Sequence, residues 1–170
     1  MTQQELNSIK EKFSIAYLHA INAKVNFALN KSDNDFDGLC IDYEIINKPV
    51  GLGRSVASEM NEIKIQLKGV SKSSTTMLRE TGTEIEYNIT NAIIPIGVFY
   101  LIVVILPEEE ALDTWLEHTP EQLVLRKCAY FLRIVNTLNP GFVKIPKSNL
   151  LTPTSLPTLF LSSTNKEDLL

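Results

Sequence analysis

The sequence predicts an α/β (α+β) fold, a mixed central β-sheet with helices packed against it, and three stretches predict it. Apolar residues from Leu6 through Ile9, Phe13, Ala16 and Ala20 to Val25 recur at three-and-four spacing, with no Gly or Pro between them. That is the pattern of a long amphipathic helix. Ile63, Ile65 and Leu67 alternate with Lys64, Gln66 and Lys68, the period of a half-buried strand. Gly97 to Leu106 is nearly all apolar and rich in β-branched residues, which suits a central strand covered on both faces.

Taken in order, Thr2 and Glu5 fit a capping box at the start of the first helix, which should run to about residue 28 with Glu11 on its flank. Lys31 to Gly38 reads as an acidic loop and Leu39 to Ile46 as a strand. In that strand Ile41, Tyr43 and Ile45 fall on one face, and Asp42 and Glu44 on the other. Asn47 to Gly53 carries the Gly and Pro of a turn, and the segment to Met60 has no clear pattern. After the alternating strand at 61–69, Ser71 to Thr76 is a polar link and Glu84 to Ile89 alternates again.

Pro107 followed by Glu108, Glu109 and Glu110 reads as a helix start, with Leu112, Trp115 and Leu116 on the buried side. Gln122 to Ile134 is strand-like, and Phe142 to Ile145 is a short strand before Pro146. Thr152-Pro153 opens a brief last helix with Leu156, Leu159 and Phe160 inward. Residues 1–161 read as a single domain and 162–170 as a frayed tail.

The net charge of −4 gives no global basic field, so a nucleic-acid function needs locally clustered Lys and Arg. Lys64 and Lys72, with Arg54, Arg126, Lys127 and Arg133, are the candidates for a phosphate-facing rim. Cys40 and Cys128 lie far apart without a CxxC or a His at ligand spacing, which points to reduced thiols in a cytoplasmic protein. His19 and His118 stand alone. The polar start Met1-Thr-Gln-Gln-Glu5 is unlike a signal peptide. The apolar run from Ala92 to Leu106 is too short to span a membrane and is broken by Pro95 and Gly97.

Two motifs compete for neighbouring residues. Asp33-x-Asp35-x-Asp37-Gly38-x5-Glu44 satisfies the calcium-loop pattern in full. A calcium loop of that kind leaves into a helix, but here a β-branched run follows and stops at Pro49 and Gly51. An acidic solvated loop is the preferred reading. The second motif is Asp42 followed by Gln66-Leu67-Lys68. Its general form is D…(D/E)-x-K, in which oxygen ligands from adjacent strands hold Mg²⁺ and the lysine stabilises charge on a phosphate. The i, i+2 spacing sets both side chains on one strand face. If the two strands pair, a carboxylate, an amide oxygen and a lysine meet at one point.

Beyond these motifs lies a broader likeness. Lys10-Glu-Lys-Phe-Ser-Ile-Ala-Tyr-Leu-His-Ala-Ile21, Ile41-Asp-Tyr-Glu-Ile45 and Ile65-Gln-Leu-Lys68 begin it. Leu101-Ile-Val-Val-Ile-Leu-Pro-Glu108, Trp115-Leu116, Leu123 to Phe131, Val143 to Pro146 and Asn149 to Pro153 continue it, so that it covers residues 8 to 161. In this order and spacing the chain resembles a bacterial family of unknown function grouped with the restriction-endonuclease-like PD-(D/E)XK nucleases. The resemblance implies a core of a helix, three antiparallel strands, a helix and a further strand. It also implies Mg²⁺- or Mn²⁺-dependent phosphodiester hydrolysis, on DNA rather than RNA, in defence against foreign DNA.

By the same resemblance Asp42 is the metal-bridging aspartate, Gln66 the second ligand, Lys68 the catalytic lysine and Glu11 a supporting metal ligand. Gln66 departs from the superfamily's usual carboxylate, although the family resembled often carries Gln there. A homodimer or a subunit of a defence complex, with no membrane association, is the expected assembly. The alternative is a catalytically lapsed module of the same fold that binds nucleic acid or a partner protein.

Overall fold

Thr2 opens the first helix as the sequence predicts. Its hydroxyl accepts the Glu5 N–H at 3.2 Å, and the Glu5 carboxylate accepts the Thr2 N–H at 2.7 Å. The reciprocal pair satisfies two donors that a helix start otherwise leaves to water. The computed structural model describes residues 2–32, 41–47, 61–125 and 128–161. Helix α1 spans Gln3–Val25 and ends at Asn26, whose left-handed φ of 58° lets its N–H return to the carbonyls of Asn22 and Ala23. Asparagine tolerates that conformation better than most residues. The helix therefore stops short of residue 28, and a strand unforeseen in the sequence, β1 (Ala28–Lys31), follows at once.

Strands β2 (Tyr43–Asn47) and β3 (Asn61–Ser71) continue from β1 as an antiparallel meander, with Leu29 opposite Ile45 and Ile45 opposite Ile63. Strand β6 (Phe99–Leu106) lies parallel to β3, with Gln66 opposite Leu101 and Lys68 opposite Val103. Strand β9 (Cys128–Ile134) closes a mixed sheet of order β1-β2-β3-β6-β9. Every residue of β6 is buried, as its unbroken apolar sequence requires. The parallel β3–β6 pair needs a long crossover. The resemblance implies a helix there, but residues 72–98 instead supply β4 (Leu78–Glu80) and β5 (Glu84–Ile89). These join β10 (Gly141–Pro146) in a second sheet, ordered β10-β5-β4.

The central sheet is thus covered on two sides. On one, Leu6 and Leu18 of α1 meet Ile45, Ile63, Ile65, Tyr100 and Ile102, together with Trp115 and Phe160. On the other, Phe99, Leu101, Val103 and Ile105 face Leu78, Ile85, Tyr87 and Ile145 of the second sheet. Each aliphatic side chain removed fully from water contributes about 1.5–3 kcal/mol. These two layers therefore dominate the stability of the fold.

Several expectations change in detail. On α1 the buried residues are Leu6, Ser14, Leu18 and Asn22, whereas Ala16 and Ala20 are exposed. The polar pair is tolerated because Ser14 Oγ and Asn22 Nδ2 each donate to the carbonyl one turn back, at 2.8 Å. After Pro107 the chain forms a 3₁₀ helix, Glu109–Thr114, and not an α-helix. Trp115 is buried as expected, but Leu116 is exposed in a small hairpin of β7 (Leu116–His118) and β8 (Leu123–Leu125). The strand-like stretch at 122–134 is therefore two strands. Leu156, Leu159 and Phe160 are buried as expected, and α2 covers Thr158–Leu161. No described helix is long and apolar enough to cross a membrane.

Candidate functional site

Strands β2 and β3 stay paired as far as Tyr43 and Ile65, then part, and Asp42 sits at the fork. Three hydrogen bonds fix it there. Its N–H donates to Ile65 O at 2.8 Å, its carbonyl accepts from Ser32 N at 3.0 Å, and its Oδ2 accepts from Leu67 N at 2.7 Å. The last of these gives a strand N–H to a carboxylate in place of a backbone carbonyl. The chain changes direction at this point: Tyr43 packs in the helix-side layer while Ile41 packs in the layer between the two sheets. The expectation that Ile41 and Tyr43 share a face fails because the regular ladder stops at Tyr43.

The fork opens into a cleft of about 550 Å³. Asn7, Lys10, Glu11 and Ser14 of α1 lie on one wall, Lys31 ends β1 and Ser32 follows it, and Asp42, Tyr43, Leu67, Lys68 and Gly69 line the opposite side. Helix and sheet approach closely because residue 69 is a glycine: a Cβ there would lie 2.4 Å from Ser14 Oγ and 3.1 Å from Lys10 O. Lys10 Nζ reaches out of α1 to Glu109 Oε1 at 2.5 Å.

Asp42, Glu11 and Lys68 are therefore brought to one cleft, from three separate elements. The Tyr43 phenol registers both carboxylates. Its pKa is raised chiefly by burial, then by the negative charges of Glu11 and Asp42. Lys10, Lys31 and Lys68 line the cleft with the carboxylates of Glu11 and Asp42, and Lys10 is paired with Glu109, so the charges balance locally.

Gln66 is placed differently. One step past the Tyr43–Ile65 pair it stands at the register position of Asp42, but it is not among the residues that wall the cleft. It is 5% exposed on the face shared with Leu101, and its Oε1 has no hydrogen-bond partner among the described residues. Lys64 and Lys72 also lie outside the cleft wall. Lys64 Nζ is 3.8 Å from Glu62 Oε1, and Lys72 is exposed just after β3. Arg133 is half-buried on β9, two strands away. Arg54, Arg126 and Lys127 lie outside the described residues.

The calcium-loop reading loses its exit helix, because Glu44 is in strand β2 opposite Lys64. Its other ligands, Asp33, Asp35 and Asp37, lie outside the described residues, as does Cys40. Cys128 is half-buried, and burial pushes its thiol pKa up. His19 and His118 are exposed.

A hard divalent cation takes oxygen ligands, and the two carboxylates at one cleft fit that need. The partnerless Oε1 of Gln66 is an atom that a cation would satisfy, although it lies behind the wall. Among the described residues no three of His, Cys, Asp and Glu converge as a ready-made metal cluster.

Sequence reading did not single out Lys10, Asn7, Ser14 or Tyr43. The signal was present in α1: Asn7, Lys10 and Ser14 are spaced three and four apart, a polar ladder interrupting the apolar face. Compared with known proteins, the chain matches no family model, no curated protein and no solved structure.

Proposed function

We propose that the chain is a divalent-metal-dependent nuclease of restriction-endonuclease-like topology, hydrolysing phosphodiester bonds of DNA at the β2–β3 fork. The observation that carries this reading is the convergence of Asp42, Glu11 and Lys68 on one cleft from a strand fork, a helix and a neighbouring strand. The order of helix, antiparallel β1-β2-β3 and then β6 supports it in part, since it keeps the strand order that the family resemblance implies although two strands stand where that resemblance implies a helix.

In this reading Asp42 and Glu11 would hold Mg²⁺ or Mn²⁺ through carboxylate oxygens, and Gln66 Oε1 would join them only by turning out of its buried position. When bound, the metal would supply an acidified water and neutralise phosphate charge. Asp42 is held in place by the Leu67 and Ile65 backbone, which limits reorganisation of a ligand oxygen. Lys68 Nζ, on the same cleft wall, would oppose the charge that builds on the phosphate.

Incubation with plasmid and linear DNA plus Mg²⁺ or Mn²⁺ tests the proposal. Cleavage should appear, should vanish with chelator, and should be lost in both Asp42→Ala and Lys68→Ala. Cleavage that survives both substitutions would overturn these roles.

A second reading keeps the fold without the chemistry. It is favoured by the burial of Gln66 away from the cleft wall, and it makes the cleft a binding site for nucleic acid or a partner protein. Calorimetric titration separates the two, because the lapsed site takes up no Mg²⁺ or Mn²⁺ near millimolar concentration.

A further inference from the structure

A second cleft, of about 570 Å³, adjoins the first along α1 and shares Asn7, Lys10 and Gly69 with it. Its chemistry is different. Where the first cleft is crowded with charge, this one is lined by the neutral amides of Gln3 and Asn7 and by the hydroxyls of Ser73, Ser74 and Thr76. Met77 and Tyr87 supply its apolar side. The charges that line it are the Lys10–Glu109 pair at the junction.

The amides are organised. Gln3 Nε2 donates to Asn7 Oδ1 at 3.1 Å, which leaves the Gln3 Oε1 acceptor and the Asn7 Nδ2 donor for a ligand. A paired donor and acceptor complements the amide-like edge of a nucleobase. Ser73 is tied to Ser71 Oγ at 2.7 Å and its own Oγ meets Glu109 N at 3.4 Å, so the hydroxyl wall is fixed to the end of β3. Cavities of this size hold a small ligand when a few polar groups converge over apolar surface.

We infer that the second cleft receives an unpaired nucleotide next to the phosphate held in the first, with Lys10 at the phosphate between them. This rests on the nuclease reading for the first cleft and deepens it by naming the substrate as single-stranded or locally unpaired. In a duplex the base edge that the Gln3–Asn7 pair would read is already hydrogen-bonded to its partner strand. Entry into the cleft then requires unpairing, at a cost of a few kcal/mol. Lys10 exchanges Glu109 for the substrate phosphate on binding.

Fluorescence anisotropy of a labelled short oligodeoxynucleotide, single-stranded or annealed to its complement, tests this in chelator with the full chain, so that no hydrolysis is needed. The single strand should bind at least about tenfold tighter than the duplex. Asn7→Ala and Thr76→Val should each weaken single-strand binding about fivefold, the loss of one hydrogen bond, and Thr76→Val, which lies outside the first cleft, should leave duplex binding unchanged. Both substitutions are at exposed positions, and circular dichroism checks that they fold. Equal affinity for the two forms, or variants that bind the single strand like the parent, would overturn the inference. The hydrolysis reading fails separately, as binding with this preference but no cleavage in Mg²⁺ or Mn²⁺.

Discussion

The Leu67 N–H donates to Asp42 Oδ2 at 2.7 Å, across the point where β2 and β3 separate. One carboxylate oxygen is thereby given to the fold, in the place where a backbone carbonyl would have continued the ladder. The same contact aims the residue at the cleft, so stability and chemistry at Asp42 are linked but separable.

Asp42→Asn retains an oxygen that can accept the Leu67 N–H, and should cost no more than about 1 kcal/mol in urea unfolding. Asp42→Ala leaves that N–H without its acceptor and should cost about 1–3 kcal/mol. On the proposed nuclease reading both should lower phosphodiester hydrolysis about a hundredfold or more, because each removes the carboxylate proposed to hold the metal. Matching stability losses for the two variants would refute the structural half of this account.

Gln66 carries a buried amide oxygen without a partner. Gln66→Met removes that orphan at similar volume and should leave stability unchanged or raise it by about 1 kcal/mol. Gln66→Glu places a carboxylate in the same buried position and should lower stability by at least about 2 kcal/mol in chelator. Mn²⁺ should restore part of that loss. Thermal unfolding with and without the cation reads both effects, and a Gln66→Glu midpoint indifferent to Mn²⁺ would rule residue 66 out as a ligand of the proposed metal.

Gly69 sets how closely α1 approaches β3. Gly69→Ala would bring a Cβ to 2.4 Å from Ser14 Oγ and 3.1 Å from Lys10 O, and should cost about 1–3 kcal/mol by overpacking. Adding Ser14→Ala removes the nearer clash and should recover part of the loss, with a coupling of at least about 0.5 kcal/mol in a double-mutant cycle. Additive losses would mean that the Lys10 carbonyl, and not the serine, sets the spacing.

Burial raises the Tyr17 and Tyr87 phenols from 10.0 to about 12. A phenol whose pKa is higher in the folded chain holds its proton where the unfolded chain has released it. The stability it contributes is complete below pH 10.0 and is lost as pH rises through about 12. Unfolding free energy should therefore fall with pH across that window. Tyr87→Phe should flatten the fall, and so should Tyr17→Phe, although the latter also loses the hydrogen bond to Leu151 O at 2.7 Å. Chemical denaturation at a series of alkaline pH values measures the slopes.

What the sequence determined by itself were the elements whose signal is local. Thr2 and Glu5 announce the start of α1, the alternation from Ile63 to Leu67 announces β3, and the apolar run to Leu106 announces a strand buried on both faces. Hydrogen bonds between near neighbours and side-chain periodicity fix these, and both can be read along the chain. Asp42, Lys68 and Glu11 were legible as candidates on chemical type and spacing.

Only the tertiary structure decided where those candidates meet. Ile41 and Tyr43 obey alternation on paper but enter different core layers, because Asp42 breaks the ladder between them. Gln66 and Lys68 share a strand face, yet Lys68 reaches the cleft wall and Gln66 is sealed under the sheet. Their surroundings come from β6 and the second sheet, brought in from residues far along the chain. Lys10 and Asn7 matter because Gly69, some sixty residues later, lets the helix lie close. A contact made by distant segments leaves no period in either one, and that is why the fork and its two adjoining clefts could be found only in the folded chain.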